Sequence, residues 1–164
     1  MAKVVFKLGD DISTDAIYPG RFMATVLPSE TPQFCFADFH EFNQQLNTKL
    51  IPDGSMMVAG QNFGCGSSRE QAASTIKGHG LTVIARGFAR IFLQNAANLG
   101  LTIIICPTIE ADEGDEVIIE KSQVMNQTKN TAFPIQPLPK ACQAIIDAGG
   151  LIAYARKRLC ETRP

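Results

Sequence analysis

The sequence predicts an α/β domain with a strand–helix–strand–helix–strand centre and shorter flanking strands. Between Met56 and Cys106 three short apolar runs alternate with two stretches of helical periodicity, and each helical stretch ends on glycine. The first of those helices is entered through Gly60-Gln61-Asn62-Phe63-Gly64-Cys65-Gly66-Ser67-Ser68-Arg69-Glu70-Gln71, three of whose first seven residues are glycine. Apolar strands joined through helices favour parallel pairing, which puts this loop at the carboxyl end of its strand, where α/β folds hold ligands.

Taken in order, residues 3–8 (Lys-Val-Val-Phe-Lys-Leu) are strand formers that stop at the turn residues Gly9-Asp10-Asp11. A polar loop over 12–22 follows, in which Pro19-Gly20 excludes regular structure and leaves Arg21 exposed, with Asp15 available to line a pocket. Phe34, Phe36, Phe39, Phe42 and Leu46 are spaced for one face of a helix over 34–47. Beyond the turn at Pro52-Asp53-Gly54, residues 56–59 form a buried strand, 67–78 a helix, 81–85 a strand, 88–99 a helix closed by Gly100, and 101–106 a strand ended by Pro107. Residues 115–120 and 131–135 read as shorter strands of antiparallel character separated by a polar connection. Helices over 140–148 and 151–159 flank Gly149-Gly150.

The 164 residues, 45% of them apolar, suit one domain over 1–164. A net charge of −1 from 15 basic and 16 acidic residues, without a basic block, argues against nucleic acid and anionic membranes as partners. The start of the chain has no apolar signal core and no later run approaches spanning length, so a soluble cytoplasmic protein is expected. Five scattered cysteines, none in a Cys-x-x-Cys pair, indicate reduced thiols and no self-sufficient metal site.

Two readings of the Ser67–Gln71 stretch stand side by side. In one, Ser67 caps the helix and Glu70 reaches back, forming a capping box. In the other, Ser68, Arg69 and the helix start receive a carboxylate, and the same donors stabilise a serine alkoxide. Capping alone needs neither three glycines nor a second serine. A phosphate loop is excluded because its lysine is missing, and a dinucleotide fingerprint because Arg69 occupies its last glycine position. Cys65 reads as a small packed thiol, His40 as a surface or core-edge residue, and His79 as a helix-end residue. Arg86, Arg90, Lys157 and Arg158 read as solvated or salt-bridged surface.

Four segments in order, Gly9-Asp10-Asp11-Ile12-Ser13-Thr14-Asp15, Asn62 to Glu70, Phe88-Ala89-Arg90-Ile91-Phe92 and Ala148-Gly149-Gly150-Leu151, resemble the small subunits of isopropylmalate isomerases (3-isopropylmalate dehydratases). Those subunits are the detached swivelling β/β/α domains of the aconitase superfamily, and the likeness runs over nearly the whole chain. The resemblance implies a hydro-lyase that isomerises a hydroxy dicarboxylic acid by dehydration and rehydration, active only in a heterodimer or heterotetramer with a large subunit. It implies a [4Fe-4S] cluster carried by that large subunit and no cofactor on this chain. By matching position, Ser67 is the base, Ser68, Arg69 and Arg21 bind substrate, and Asp15 with Thr14 supports the site.

The resemblance also makes Phe22-Met23-Ala24-Thr25 a specificity loop. Relatives handling homoaconitate carry an arginine in this segment; here Met23 and Ala24 offer an apolar lining suited to an alkyl group. Gln71, where isopropylmalate enzymes often carry histidine, points the other way. Isopropylmalate in leucine biosynthesis is therefore the expected substrate, with homoaconitate or another alkylmalate (dimethylmalate, citramalate) as the enzymatic alternative. A carboxylate-binding module without chemistry is the non-enzymatic one.

Overall fold

The β-branched and aromatic residues that open the chain form strand β1 (Ala2–Lys7). In this computed structural model, which describes residues 1–161, β1 stands in the middle of a seven-stranded sheet. On one side lie β2 (Met56–Ala59), β3 (Thr82–Ala85) and β4 (Ile103–Ile105), each parallel to its neighbour. On the other lie β5 (Glu116–Ile119), β6 (Gln123–Asn126) and β7 (Thr131–Pro134), each antiparallel to its neighbour. The order is β4-β3-β2-β1-β5-β6-β7.

Helices α3 (Glu70–Gly78) and α4 (Arg90–Leu99) make the connections from β2 to β3 and from β3 to β4. Parallel neighbours require such crossovers, because a tight turn returns the chain in the opposite direction. The expected strand–helix–strand–helix–strand centre is thus present, and so is the antiparallel second half. One difference is that the polar connection expected between 115–120 and 131–135 contains β6. Its alternation is carried by Val124 and a buried asparagine, Asn126, so a hydrophobicity pattern registers only half of it. The Asn126 amide donates to the Asp115 carboxylate at 2.7 Å, which makes burial of that polar group tolerable.

Successive residues of the strands face two different cores, as the period of two demands. Met57, Ala59, Val83, Ala85 and Ile103 pack with residues of the helices, including Ala72, Ile76, Phe92 and Ala96. Val4, Met56, Val58, Ile84, Ile104, Val117 and Val124 form the second core on the opposite face. The sheet curls around this second core until its margins meet. Gln136, just beyond β7, donates its N–H to the Ile105 carbonyl at 2.8 Å, and the Cys106 thiol lies 3.4 Å from the Pro134 carbonyl oxygen.

Several helix boundaries shift from expectation for local reasons. The 34–47 helix starts only at α2 (His40–Asn47), because Phe36 adopts φ +51 and Thr31–Phe34 form a separate 3-10 turn around Pro32. The aromatic spacing that suggested a longer helix reflects a cluster around Phe6, which stacks on Phe42 at 4.0 Å and meets Phe36 and Phe39 edge-on. The 12–22 loop is more ordered than Pro19-Gly20 suggested. It contains the short helix α1 (Thr14–Ile17), whose Ala16 N–H is accepted by the Ser13 hydroxyl at 3.1 Å, and a 3-10 turn over Gly20–Phe22. Helices α5 (Lys140–Asp147) and α6 (Leu151–Glu161) flank Gly149-Gly150 as expected. No helix among the described residues is long and apolar enough to cross a membrane.

Candidate active site

Two loops leave the carboxyl ends of the adjacent parallel strands β1 and β2, and they are laced together. Gly60 N–H donates to Gly9 O at 3.0 Å, Asp11 N–H to Gln61 O at 2.9 Å, Gly64 N–H to Ile12 O at 2.7 Å and Thr14 N–H to Cys65 O at 2.8 Å. Side chains add to the lacing, since Asp10 accepts from the Gln61 N–H and Asp11 from the Asn62 amide, each at 2.7 Å. Such close approach needs residues without a side chain. A Cβ at position 60 would fall 1.9 Å from Asp10 Oδ1, and one at position 64 would fall 2.2 Å from Phe92 Cγ. Gly64 and Gly66 also take φ +81 and +91, conformations that favour glycine.

The chain leaving Gly66 does not enter the helix at once. Helix α3 begins at Glu70 with Arg69 as its extended N-cap residue, and among the described residues no side chain caps it. The capping box, one of the two readings of Ser67 and Glu70, is therefore not formed. The Ser67 carbonyl accepts from the Thr14 hydroxyl at 3.0 Å and from the Arg69 N–H at 2.9 Å, which draws Ser67 into the loop lacing instead of the helix. Its hydroxyl is exposed and lies 3.4 Å from Thr14 Oγ1. Ser68 is exposed beside it. The backbone N–H groups of Ser67, Ser68, Glu70 and Gln71 have no backbone acceptor among the described residues, so unpaired donors stand at the start of α3 next in sequence to the two hydroxyls.

Arg69 turns back across α1. Its Nη1 forms an ion pair with Asp15 and donates to the Tyr18 carbonyl at 3.3 Å, while Nε and Nη2 have no partner among the described residues. The Arg69 guanidinium holds the Asp15 carboxyl below the usual carboxylate range. A carboxylate fixed in this way orients the guanidinium plane, with the side chain 16% exposed. Asp15 also accepts from the Gly20 N–H at 3.1 Å, and a Cβ on Gly20 would sit 3.3 Å from Nη2. Ser67, Ser68, Arg69, Asp15 and Thr14 are thus brought together from sequence positions some fifty residues apart.

Arg21 is not part of that cluster. It makes a forked ion pair with Asp38, one arm at 3.2 Å, and its guanidinium lies 4.6 Å from the centre of the Phe22 ring. Phe22 stacks on Phe34 at 4.1 Å, while Met23 and Ala24 are exposed and Thr25 is half-buried. Asp38 and Tyr18 were not singled out from the sequence. Tyr18 is the one with a visible signal, an aromatic residue set in a polar loop immediately before Pro-Gly.

Four of the remaining residues, Cys65, His79, Arg86 and Arg158, have structural partners. The Cys65 thiol lies 3.4 Å from the Asp11 carbonyl, and the His79 ring is hydrogen-bonded to the Pro32 carbonyl at 2.8 Å. Arg86 donates to the Ile109 carbonyl, and Arg158 lies against Tyr154. Among the described residues no group of three or more His, Cys, Asp or Glu is placed to hold a metal ion. Burial pushes the Cys35 thiol up to about 12, so it is not a thiolate ligand at neutral pH. A cleft of about 400 Å³ beneath the loops touches Gly9, Asp10 and Gly60, but Ser67, Ser68 and Arg69 do not line it. Ser67 and Ser68 are exposed, and the Arg69 side chain is largely buried, 16% exposed.

Comparison with known proteins identifies relatives along nearly the whole chain. Residues 32–109 match the aconitase C-terminal domain family. A 3-isopropylmalate dehydratase small subunit of Methanosarcina mazei is 42% identical over 161 residues, covering 95% of this chain and 96% of the relative. An isopropylmalate/citramalate isomerase small subunit of Methanocaldococcus jannaschii is 40% identical over 168 residues, covering 97% and 95%. The crystal structure of a 3-isopropylmalate dehydratase from the latter organism superposes with a TM-score of 0.87 at 41% identity, over 96% of this chain and 94% of that one.

Proposed function

The chain belongs to the family of 3-isopropylmalate dehydratase small subunits, hydro-lyase components of the aconitase C-terminal domain type. From that premise we propose that it completes, with a large subunit, an active site that dehydrates isopropylmalate and rehydrates the alkene at the neighbouring carbon. The observation that carries this reading is a half-site: the exposed Ser67 and Ser68 residues, unpaired N–H donors at the start of α3, and a largely buried Arg69 guanidinium fixed by Asp15 with Nε and Nη2 unpaired among the described residues. A dicarboxylate needs a second wall, and the partner subunit supplies it.

Ser67 acts as the base. Its ionised oxygen takes the proton from the carbon next to a carboxylate, the electron pair forms the C=C bond, and the hydroxyl leaves the adjacent carbon as hydroxide. The proton that Ser67 has taken balances that hydroxide as water, which returns the serine to its ionised form. Rehydration reverses these steps with the positions exchanged. A serine hydroxyl is a weak base, and the N–H groups of Ser67, Ser68, Glu70 and Gln71 are the donors available to stabilise its ionised form. The Thr14 hydroxyl, 3.0 Å from the Ser67 carbonyl oxygen and 3.4 Å from Ser67 Oγ, holds Ser67 in the loop. Arg69 and Ser68 hold the carboxylate, with Asp15 fixing the guanidinium plane.

Aconitase-type enzymes use an iron–sulfur cluster that binds substrate hydroxyl and carboxylate. The cysteines described here do not fit one: Cys35 and Cys106 are buried, and Cys65, Cys142 and Cys160 are scattered. The cluster is assigned to the large subunit, and the heterodimeric or heterotetrameric complex is the active species. The test is anaerobic mixing of this chain with its cognate large subunit and an assay for alkene formation. Turnover of isopropylmalate is expected, and no turnover of any alkylmalate would sink the proposal.

The loop over Phe22–Thr25 supports an alkyl-bearing substrate. It contains no cation, and Arg21 beside it is already paired with Asp38. A third carboxylate, as in homoaconitate, would be left without a partner there. Citramalate, named for the Methanocaldococcus relative, carries a methyl group and is the second candidate. Ala24→Arg is expected to shift the ratio of kcat/KM for a tricarboxylate over isopropylmalate upward by about tenfold, the scale of one charged hydrogen bond. An unchanged ratio would remove Phe22–Thr25 from substrate contact.

A further inference from the structure

Tyr18 is wholly buried, yet its polar atoms serve two different parts of the site. Its carbonyl accepts from Arg69 Nη1 at 3.3 Å. Its phenol reaches the other way, to the Phe22 carbonyl at 3.1 Å and the Thr25 carbonyl at 3.3 Å, the two ends of the Phe22-Met23-Ala24-Thr25 segment. The ring lies edge-on to Phe22 and Phe34, with centroids 6.5 and 6.2 Å away, and those two rings stack on each other. Burial pushes the phenol up, so the hydroxyl keeps the proton it donates at neutral pH.

Resting on the functional reading above, we infer that Tyr18 is a positioning residue for substrate selection: its hydroxyl clamps both ends of the Phe22–Thr25 segment and sets the segment's height over Arg69. One phenol proton shared between two carbonyls fixes their separation, and the exposed Met23 and Ala24 side chains between them are carried at a defined place. The same residue receives Arg69, so the carboxylate anchor and the alkyl-facing segment are registered to one backbone unit. Tyr18 itself touches no substrate.

Tyr18→Phe keeps the ring and removes the clamp. In the complex with the large subunit, kcat/KM for isopropylmalate relative to citramalate is expected to fall at least about threefold through KM for isopropylmalate, with kcat held within about twofold. In the full chain, amide exchange at Met23 and Thr25, which donate to Gly20 O and Phe22 O, is expected to quicken about tenfold. Exchange at Gly64 and Cys65 stays as it was. Phe34→Leu, which removes the stack on Phe22 and leaves the phenol, is expected to move the same ratio in the same direction. Unchanged exchange at Met23 and Thr25, or equal losses with both substrates, would overturn the inference. A wild-type complex that turns over neither acid defeats the functional reading instead, and the exchange measurement still decides whether Tyr18 holds the segment.

Discussion

Ser67→Ala is expected to lower kcat by about 10²–10⁴-fold, the range that a positioned base contributes, while the chain folds and assembles as before. The two parts of that expectation rest on different observations. The loss of turnover follows from the place of Ser67, an exposed residue in the same short loop as the unpaired N–H groups and two residues before Arg69. The retained stability follows from what the hydroxyl does not do. It is exposed and does not cap α3, so its removal changes the unfolding free energy by no more than about 0.5 kcal/mol. An N-cap serine would cost about 1 kcal/mol when truncated. Steady-state kinetics on the reconstituted complex, with urea unfolding of the variant, separate the two roles. Full activity together with a stability loss would return Ser67 to a capping function.

Gly64→Ala is expected to destabilise the chain by about 2–5 kcal/mol, from a left-handed backbone that disfavours a Cβ and from overpacking. The added methyl carbon would lie 2.2 Å from Phe92 Cγ and 2.4 Å from its Cβ. Phe92 cannot retreat easily. It is 1% exposed, edge-on to Phe63 at 5.2 Å and parallel to Phe88 at 6.1 Å. A shift in the urea midpoint without a change in slope is the expected signature. Wild-type stability would show that the loop has another route past α4. At a total stability of about 5–15 kcal/mol, the loss is large enough to depress the yield of folded protein.

How far the sequence could be read depended on whether local pattern and tertiary context asked for the same thing. They agreed between Met56 and Cys106, where apolar strands and glycine-terminated helices fell close to their observed places. They disagreed at β6, because Asn126 is buried against Asp115, a partner no local pattern reveals. At Phe36 a left-handed turn interrupts an otherwise helical spacing, and the driving contact is Phe6, thirty residues earlier. The candidate site was legible in composition and not in geometry. Ser67, Ser68, Arg69 and Asp15 were identifiable, but the cap reading of Ser67 depended on a helix start that Thr14 and Arg69 displace by three residues. Arg21 was identifiable as an exposed cation, and its commitment to Asp38 was not.

The curl of the sheet bears on the life of the chain before it meets a partner. β4 and β7 are the outermost strands, and in a flat sheet each would present an unpaired backbone ladder. Here the segment after β7 bonds to Ile105, and the Cys106 thiol reaches the Pro134 carbonyl, so the two margins are turned toward one another. A second copy of the chain arriving at either margin finds part of the ladder occupied. Growth by strand addition, the common route from a lone β-rich subunit to a fibre, is thereby discouraged, and recognition is left to side chains on the outer faces. The closure of the sheet on itself thus protects the backbone of this chain from pairing with another copy, and leaves its exposed serines for contacts made by side chains.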